Sequence, residues 1–153
     1  MKKQFLMLGI FTLVAMGCLQ TTARSTPTQQ PPSDAVFADF GKPFTLNPGQ
    51  RAVLDEGKLG APTLEFVGVA EDSRCPNKVV CVWEGQATIE LSLALSGGYQ
   101  TFNVTARAGS PEAAEKDVLA YHVILETLEP YPETEAPIPK NEYQARLVVS
   151  KTE

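Results

Sequence analysis

Histidine and tryptophan occur once each, as His122 and Trp83, and cysteine three times, at 18, 75 and 81, in a chain of 153 residues. A single imidazole leaves little for acid–base catalysis, and no serine stands in a nucleophile-elbow motif. Basic residues are also scarce, with 13 Lys and Arg against 18 Asp and Glu. An acidic chain with scattered bases lacks the patch that releases counterions on nucleic-acid binding, so no nucleic-acid partner is expected. Adsorption to anionic lipid by charge alone is disfavoured for the same reason. With 43% apolar and 20% charged residues the chain is neither disordered throughout nor collagen-like, and its length suits one folded domain.

The N-terminus has its own organisation. Lys2 and Lys3 form a basic head, and Phe5 to Gly17 is an uncharged, mostly apolar run of 13 residues. That is short of the ~20 residues a membrane-crossing helix needs, and it suits the core of an export signal. Val14-Ala15-Met16-Gly17-Cys18 follows and resembles the lipobox of bacterial lipoproteins, with Ala15 where the family usually has Leu. The resemblance implies that residues 1–17 are removed, that Cys18 carries a diacylglycerol on its thiol, and that its new amino group is acylated. Without Lys2 and Lys3 the processed chain holds 11 bases against 18 acids, a net charge of -7. Leu19 stands where Asp would signal inner-membrane retention, which favours the outer membrane in a cell that has two.

Residues 18–36 read as the lipidated cysteine and its tether. Gln20 to Ala35 is rich in Thr, Ser, Gln and Pro and has no aromatic residue, a composition that cannot offset its ordering entropy. Sixteen residues at ~3.1 Å each reach about 50 Å when extended.

Residues 37–153 read as a single β domain. Ile89, Leu91, Leu93 and Leu95 alternate with polar or small residues, and Gly97-Gly98 supplies a tight turn. A hairpin centred on those glycines pairs Leu93 with Phe102, Leu91 with Val104 and Ile89 with Ala106, apolar against apolar throughout. Thr63 to Ala70 shifts phase at Gly68, which predicts a bulge or a strand buried on both faces. Leu119, Tyr121, Val123 and Leu125 form another alternating set, and Tyr143, Ala145, Leu147 and Val149 a further one. Pro43 to Leu46 and Arg51 to Leu54 are shorter candidates on either side of the turn Asn47-Pro48-Gly49-Gln50. Ser110-Pro111 can open a short helix, with Glu112 and Glu115 near its first turn. The expected fold class is all-β: an antiparallel sandwich of immunoglobulin-like type, or a small barrel, with six to eight strands.

Once Cys18 carries lipid, Cys75 and Cys81 remain as an even pair in an oxidising compartment, which predicts a disulfide. Closing that loop is worth roughly 2.4 kcal/mol by chain entropy. Two thiols at this spacing and one distant His122 fall short of four zinc ligands, so neither metal nor other cofactor is expected. The surrounding Asp72-Ser73-Arg74-Cys75-Pro76 … Cys81-Val82-Trp83-Glu84-Gly85 resembles the Asp-Ser-Arg-Cys-Pro…Cys-x-Trp-x-Gly signature of small bacterial envelope proteins to which no activity is assigned. Two readings of the loop stand. In one, Trp83 closes the edge of the core and Arg74 pairs with Asp72 or Glu84. In the other, a rigid loop presents Arg74, Asn77, Lys78 and Trp83 to an envelope protein partner. Pro130 to Lys140, with four prolines around Tyr131, Glu133 and Glu135, is a stiff connection or a recognition strip. The functional expectation is a lipid-anchored, non-catalytic binding or adaptor module of the envelope. Its alternatives are an inhibitor of an extracytoplasmic protease and an enzyme working through paired carboxylates.

Overall fold

A computed structural model describes residues 35–54, 59–107 and 114–152. Among these residues nine strands form: β1 Val36–Ala38, β2 Phe44–Leu46, β3 Arg51–Leu54, β4 Thr63–Asp72, β5 Gln86–Leu95, β6 Gly98–Arg107, β7 Glu115–Val118, β8 Tyr121–Glu129 and β9 Gln144–Lys151. A single turn of 3-10 helix at Lys140–Glu142 precedes β9. One sheet has the order β1-β3-β4-β5-β6 and the other β2-β9-β8-β7. The two are not closed on one another, so of the two expected architectures the molecule adopts the sandwich. The residues read as a lipobox, those read as a tether up to Asp34, and the helix reading at Ser110-Pro111 lie outside the described residues. Glu115, which that reading placed near a helix start, opens β7 instead.

Alternation decides which side chains meet between the sheets. Along β5, Ala87, Ile89, Leu91 and Leu93 are buried, and they pack with Leu64 and Phe66 of β4 and Val104 of β6. The opposing sheet contributes Leu46, Val123, Leu125, Ala145, Leu147 and Val149 to the same core. Each large aliphatic side chain removed from water stabilises the fold by about 1.5–3 kcal/mol, which is why two-residue periodicity dominates the sequence. The bulge expected at Gly68 is present: β4 slips against β5 between Phe66 and Gly68 and again between Val69 and Glu71. The alternative, a strand buried on both faces, does not hold, because Val67 is exposed. A further bulge, in β8 between Leu125 and Thr127, turns Glu126 and Thr127 to solvent and returns Leu128 to the core.

The β5–β6 hairpin forms, with a corrected register. The two-residue loop is Ser96-Gly97 rather than Gly97-Gly98, so Leu91 faces Phe102, Ile89 faces Val104 and Ala87 faces Ala106. The positive φ of 147° falls on Gly98, at the first position of β6. A slip of two residues keeps every side chain on its own face, so the core is unchanged. Leu119 is not part of β8. It sits at the β7–β8 turn with φ 56° and is 60% exposed.

The turn at Asn47–Gln50 does form, closed by the Gln50 amide donating to the Asn47 carbonyl at 2.9 Å, with Gly49 at φ 80°. It carries the chain from β2 in one sheet to β3 in the other. β1 is parallel to β3, Val36 opposite Ala52 and Ala38 opposite Leu54. This is the one departure from antiparallel pairing among the described strands.

Candidate functional site

The stretch between β4 and β5 is built from its ends inward. At the base, the Ser73 amide donates to the Gln86 carbonyl at 2.8 Å and the Cys75 amide to the Glu84 carbonyl at 2.9 Å. These bonds prolong the β4–β5 ladder beyond the strands. Gly85 makes the approach possible: its φ is 72°, and a Cβ there would lie 1.8 Å from the Ser73 carbonyl oxygen. No other residue fits that position, which accounts for the glycine of the Trp-x-Gly segment.

Asp72 and Arg74 form a largely buried pair, their side chains 10% and 9% exposed. The Arg74 guanidinium donates from Nε to Asp72 Oδ1 at 2.8 Å and from Nη2 to Oδ2 at 2.6 Å, a two-pronged match of planar groups. The Arg74 amide reaches Asp72 Oδ1 as well, at 3.2 Å, and the Tyr143 hydroxyl donates to Oδ2 at 3.0 Å. The remaining guanidinium donors cross to the other sheet, to the Leu128 carbonyl at 2.6 Å and the Pro130 carbonyl at 3.0 Å. The guanidinium carbon also lies 5.0 Å from the centre of the Tyr131 ring. The pair therefore clasps the end of β4 to the end of β8 and the start of β9.

The electrostatics follow from this arrangement. Burial by itself raises the Asp72 pKa, but the hydrogen bonds and charge of Arg74, aided by Tyr143, outweigh it and hold the carboxyl below its ordinary value. Burial, then the hydrogen bond to the Asp72 carboxylate, pushes the Tyr143 hydroxyl up to about 12. With four hydrogen bonds already accepted, Asp72 is a structural anion.

Cys75 and Cys81 are bonded, as expected from the sequence, with Cα atoms 6.0 Å apart. The first half of the loop is further fastened to the proline-rich connection. The Asn77 amide donates to the Pro132 carbonyl at 2.9 Å and the Lys78 amide to the Glu133 carbonyl at 3.2 Å. Lys78 Nζ is 2.5 Å from Glu133 Oε2, a pair whose side chains are both 67% exposed. A turn closes on the Pro76 carbonyl from the Val79 amide. The second half projects: Val80 and Val82 are fully exposed and Trp83 is 61% exposed.

The two readings of this loop thus divide by residue. Arg74 is turned inward and spent on the clasp, so it is withdrawn from the candidate contact residues. Its pairing with Asp72, weighed from sequence, is present. Asn77 and Lys78 lie at the surface with their amides committed to the proline-rich segment. Trp83 does not close the core edge but stands in solvent beside two valines that the sequence reading did not single out. The signal for those valines was available: Val79-Val80-Cys81-Val82-Trp83 is apolar without alternation, between turn-forming Pro76-Asn77 and Glu84-Gly85.

A shallow groove of about 420 Å³ runs beside the clasp, between Val69 to Ser73 and Pro132 to Ile138. Its most buried carboxylate is the fully engaged Asp72. On the other side of the molecule His122 bridges two acids, with Nδ1 2.6 Å from Asp117 and Nε2 3.1 Å from Glu115. The Asp117 hydrogen bond raises the His122 pKa; desolvation opposes it, and Glu115 adds a smaller rise. Among the described residues no group of three His, Cys, Asp or Glu is placed to hold a metal ion, and no helix is long and apolar enough to cross a membrane. Compared with known proteins, the chain matches no family, no curated protein and no solved structure.

Proposed function

We propose that this protein is a lipid-anchored component of a bacterial cell envelope, held through Cys18, whose sandwich is a non-catalytic binding or adaptor module. Its contact surface is the tip of the disulfide loop. The observation that carries this reading is the exposure of Val80, Val82 and Trp83 on a loop whose other half is fastened at four places. Apolar side chains held in water by a stiff support lose little freedom on contact, and that lowers the entropic cost of association. The lipobox resemblance and the tether composition supply the placement.

The test is photo-crosslinking in intact cells from a probe at position 82 of the full chain, with a probe at the exposed Thr101 of β6 as control. Adducts to an envelope component from position 82 and none from position 101 support the proposal, whereas equal yields refute it. For the anchor, Cys18→Ser should shift the protein out of the membrane fraction. Inhibition of an extracytoplasmic protease is the second reading, favoured by the immobilised turn Pro76 to Val79 inside the disulfide. A protease panel unaffected by a large excess of the protein would remove it.

A further inference from the structure

The direction of β1 bears on what the loop tip meets. β1 is parallel to β3, and β3 is antiparallel to β4, with Val36 level with Ala52 and Ala52 level with Leu64. Followed backwards from Val36, the chain is therefore aimed at the end of the sheet where β4 stops at Asp72 and the disulfide loop begins. From the level of Leu64 to that of Asp72 is about 26 Å, at ~3.3 Å per residue along a strand. The sixteen residues Gln20 to Ala35, at ~3.1 Å each, have a reach of about 50 Å, enough to cover this distance and pass the loop. The N-terminal end of β1 thus faces the same end of the domain as the apolar tip, and the tether sequence is long enough to span the interval.

The chemistry of the tip fits a lipid interface. Trp prefers the headgroup boundary, where its ring is buried in apolar surroundings and its N–H stays wet. Val80 and Val82 flank it, fully exposed and without a formal charge. Glu84 follows Trp83 directly, and Lys78 in the same loop is paired with Glu133; these charges set a limit to penetration. We infer that the disulfide-loop tip, through Val80, Val82 and Trp83, inserts shallowly into the bilayer that holds the lipid anchor, so that the domain is docked on the membrane and not merely leashed to it. The inference rests on the anchored reading above and identifies the occupant of the same surface. Because the domain is acidic and the tip uncharged, insertion is driven by apolar contact and needs no anionic lipid.

Trp83, as the only tryptophan, reports on the tip directly. The processed full chain is mixed with phosphatidylcholine vesicles whose acyl chains are brominated, and its emission is compared with that in plain vesicles and in vesicle-free buffer. Insertion predicts a blue shift with either vesicle and strong quenching by the bromines, both insensitive to salt. Val80→Ser with Val82→Ser, at positions that carry no core packing, should reduce the quenching several-fold while leaving the fold intact. The mass of the N-terminal peptide is read on the same sample. An acylated Cys18 with unquenched Trp83 overturns the inference and leaves the anchor standing. Quenched Trp83 on a chain without acyl groups supports the insertion and removes the anchor. A blue shift that grows with protein concentration in the absence of vesicles identifies a second copy of the chain as the occupant, and crosslinks from position 82 to protein alone identify a protein; either outcome overturns the inference.

Discussion

Replacing Arg74 by Met tests whether the clasp holds the two sheets together at the loop end. The substitution removes four side-chain hydrogen bonds and leaves the Asp72 carboxylate buried with only the Tyr143 hydroxyl and one amide. Breaking a buried pair from one side costs about 3–5 kcal/mol, because the surviving charge is stranded, and this largely buried pair belongs at the lower end of that range. The exposed pairs Arg51–Glu65 and Arg146–Glu126 have similar contact distances of 2.7 Å, yet pairs of that kind contribute only about 0.2–1 kcal/mol. Burial, and not the contact distance, sets the difference. Urea unfolding under non-reducing conditions, followed by far-UV circular dichroism, would show the midpoint falling by about 1.5 M for a slope of ~2 kcal/mol/M. Should Arg74→Met fail to fold, Arg74→Lys and Tyr143→Phe give graded losses; the latter removes one hydrogen bond to a charged group, about 1.5–3 kcal/mol. The sign with pH is fixed as well. The Asp72 pKa is depressed in the folded state, so its contribution is complete above the ordinary carboxylate range and is lost as pH falls through the folded value. The difference between wild type and Asp72→Asn should therefore shrink in acid. A loss below about 1 kcal/mol for Arg74→Met, or an Asp72/Arg74 double-mutant cycle with no coupling, would refute the reasoning.

Four other outcomes follow from single residues. Gly85→Ala should cost about 2–4 kcal/mol in thermal or chemical unfolding, combining a left-handed backbone with a collision against the Ser73 carbonyl. Gly49→Ala, with a similar φ of 80° but open space, should cost only ~1–2 kcal/mol. Leu119→Gly should raise stability by about 0.5–1 kcal/mol, since an exposed Leu at φ 56° bears a backbone cost that glycine does not. His122, whose pKa is raised in the folded state, should stabilise the protein below its ordinary pKa and cease to do so as pH rises through the folded value. Comparison with His122→Gln in thermal melts at mildly acidic and alkaline pH should differ by a few tenths of a kcal/mol at this exposed site, with an NMR titration of the imidazole giving the direction.

The sandwich and its core were legible because burial on one face imprints period-two alternation on the sequence, as in Ala87 to Leu95. The hairpin register was not, because pairings offset by two residues satisfy the same apolar pattern, and either Ser96-Gly97 or Gly97-Gly98 provides a two-residue loop. β1 and β7 were missed because each is a short edge strand with one buried residue, Ala38 and Val118, too little to make a pattern. The disulfide and the Asp72–Arg74 pair could be read locally, from spacing and opposite charge. The rest of the clasp could not, since the acceptors at Leu128 and Pro130 are backbone carbonyls that carry no signature of their own. Trp83 was found as a residue type and misjudged in one of its two readings, because composition alone does not say whether an aromatic ring beside a turn faces inward.

The position of the disulfide also decides what a cut in the loop would do. A peptide bond hydrolysed between Pro76 and Val80 lies inside the bridge, so the two pieces stay covalently joined and the clasp at Arg74 stays seated. A bond hydrolysed at Val82-Trp83 or Trp83-Glu84 lies just outside it, on the projecting side, and divides the chain into an N-terminal piece carrying β1 to β4 and a C-terminal piece carrying β5 to β9. One side of the tip is thus protected against proteolytic separation and the other is not, over a distance of two or three residues.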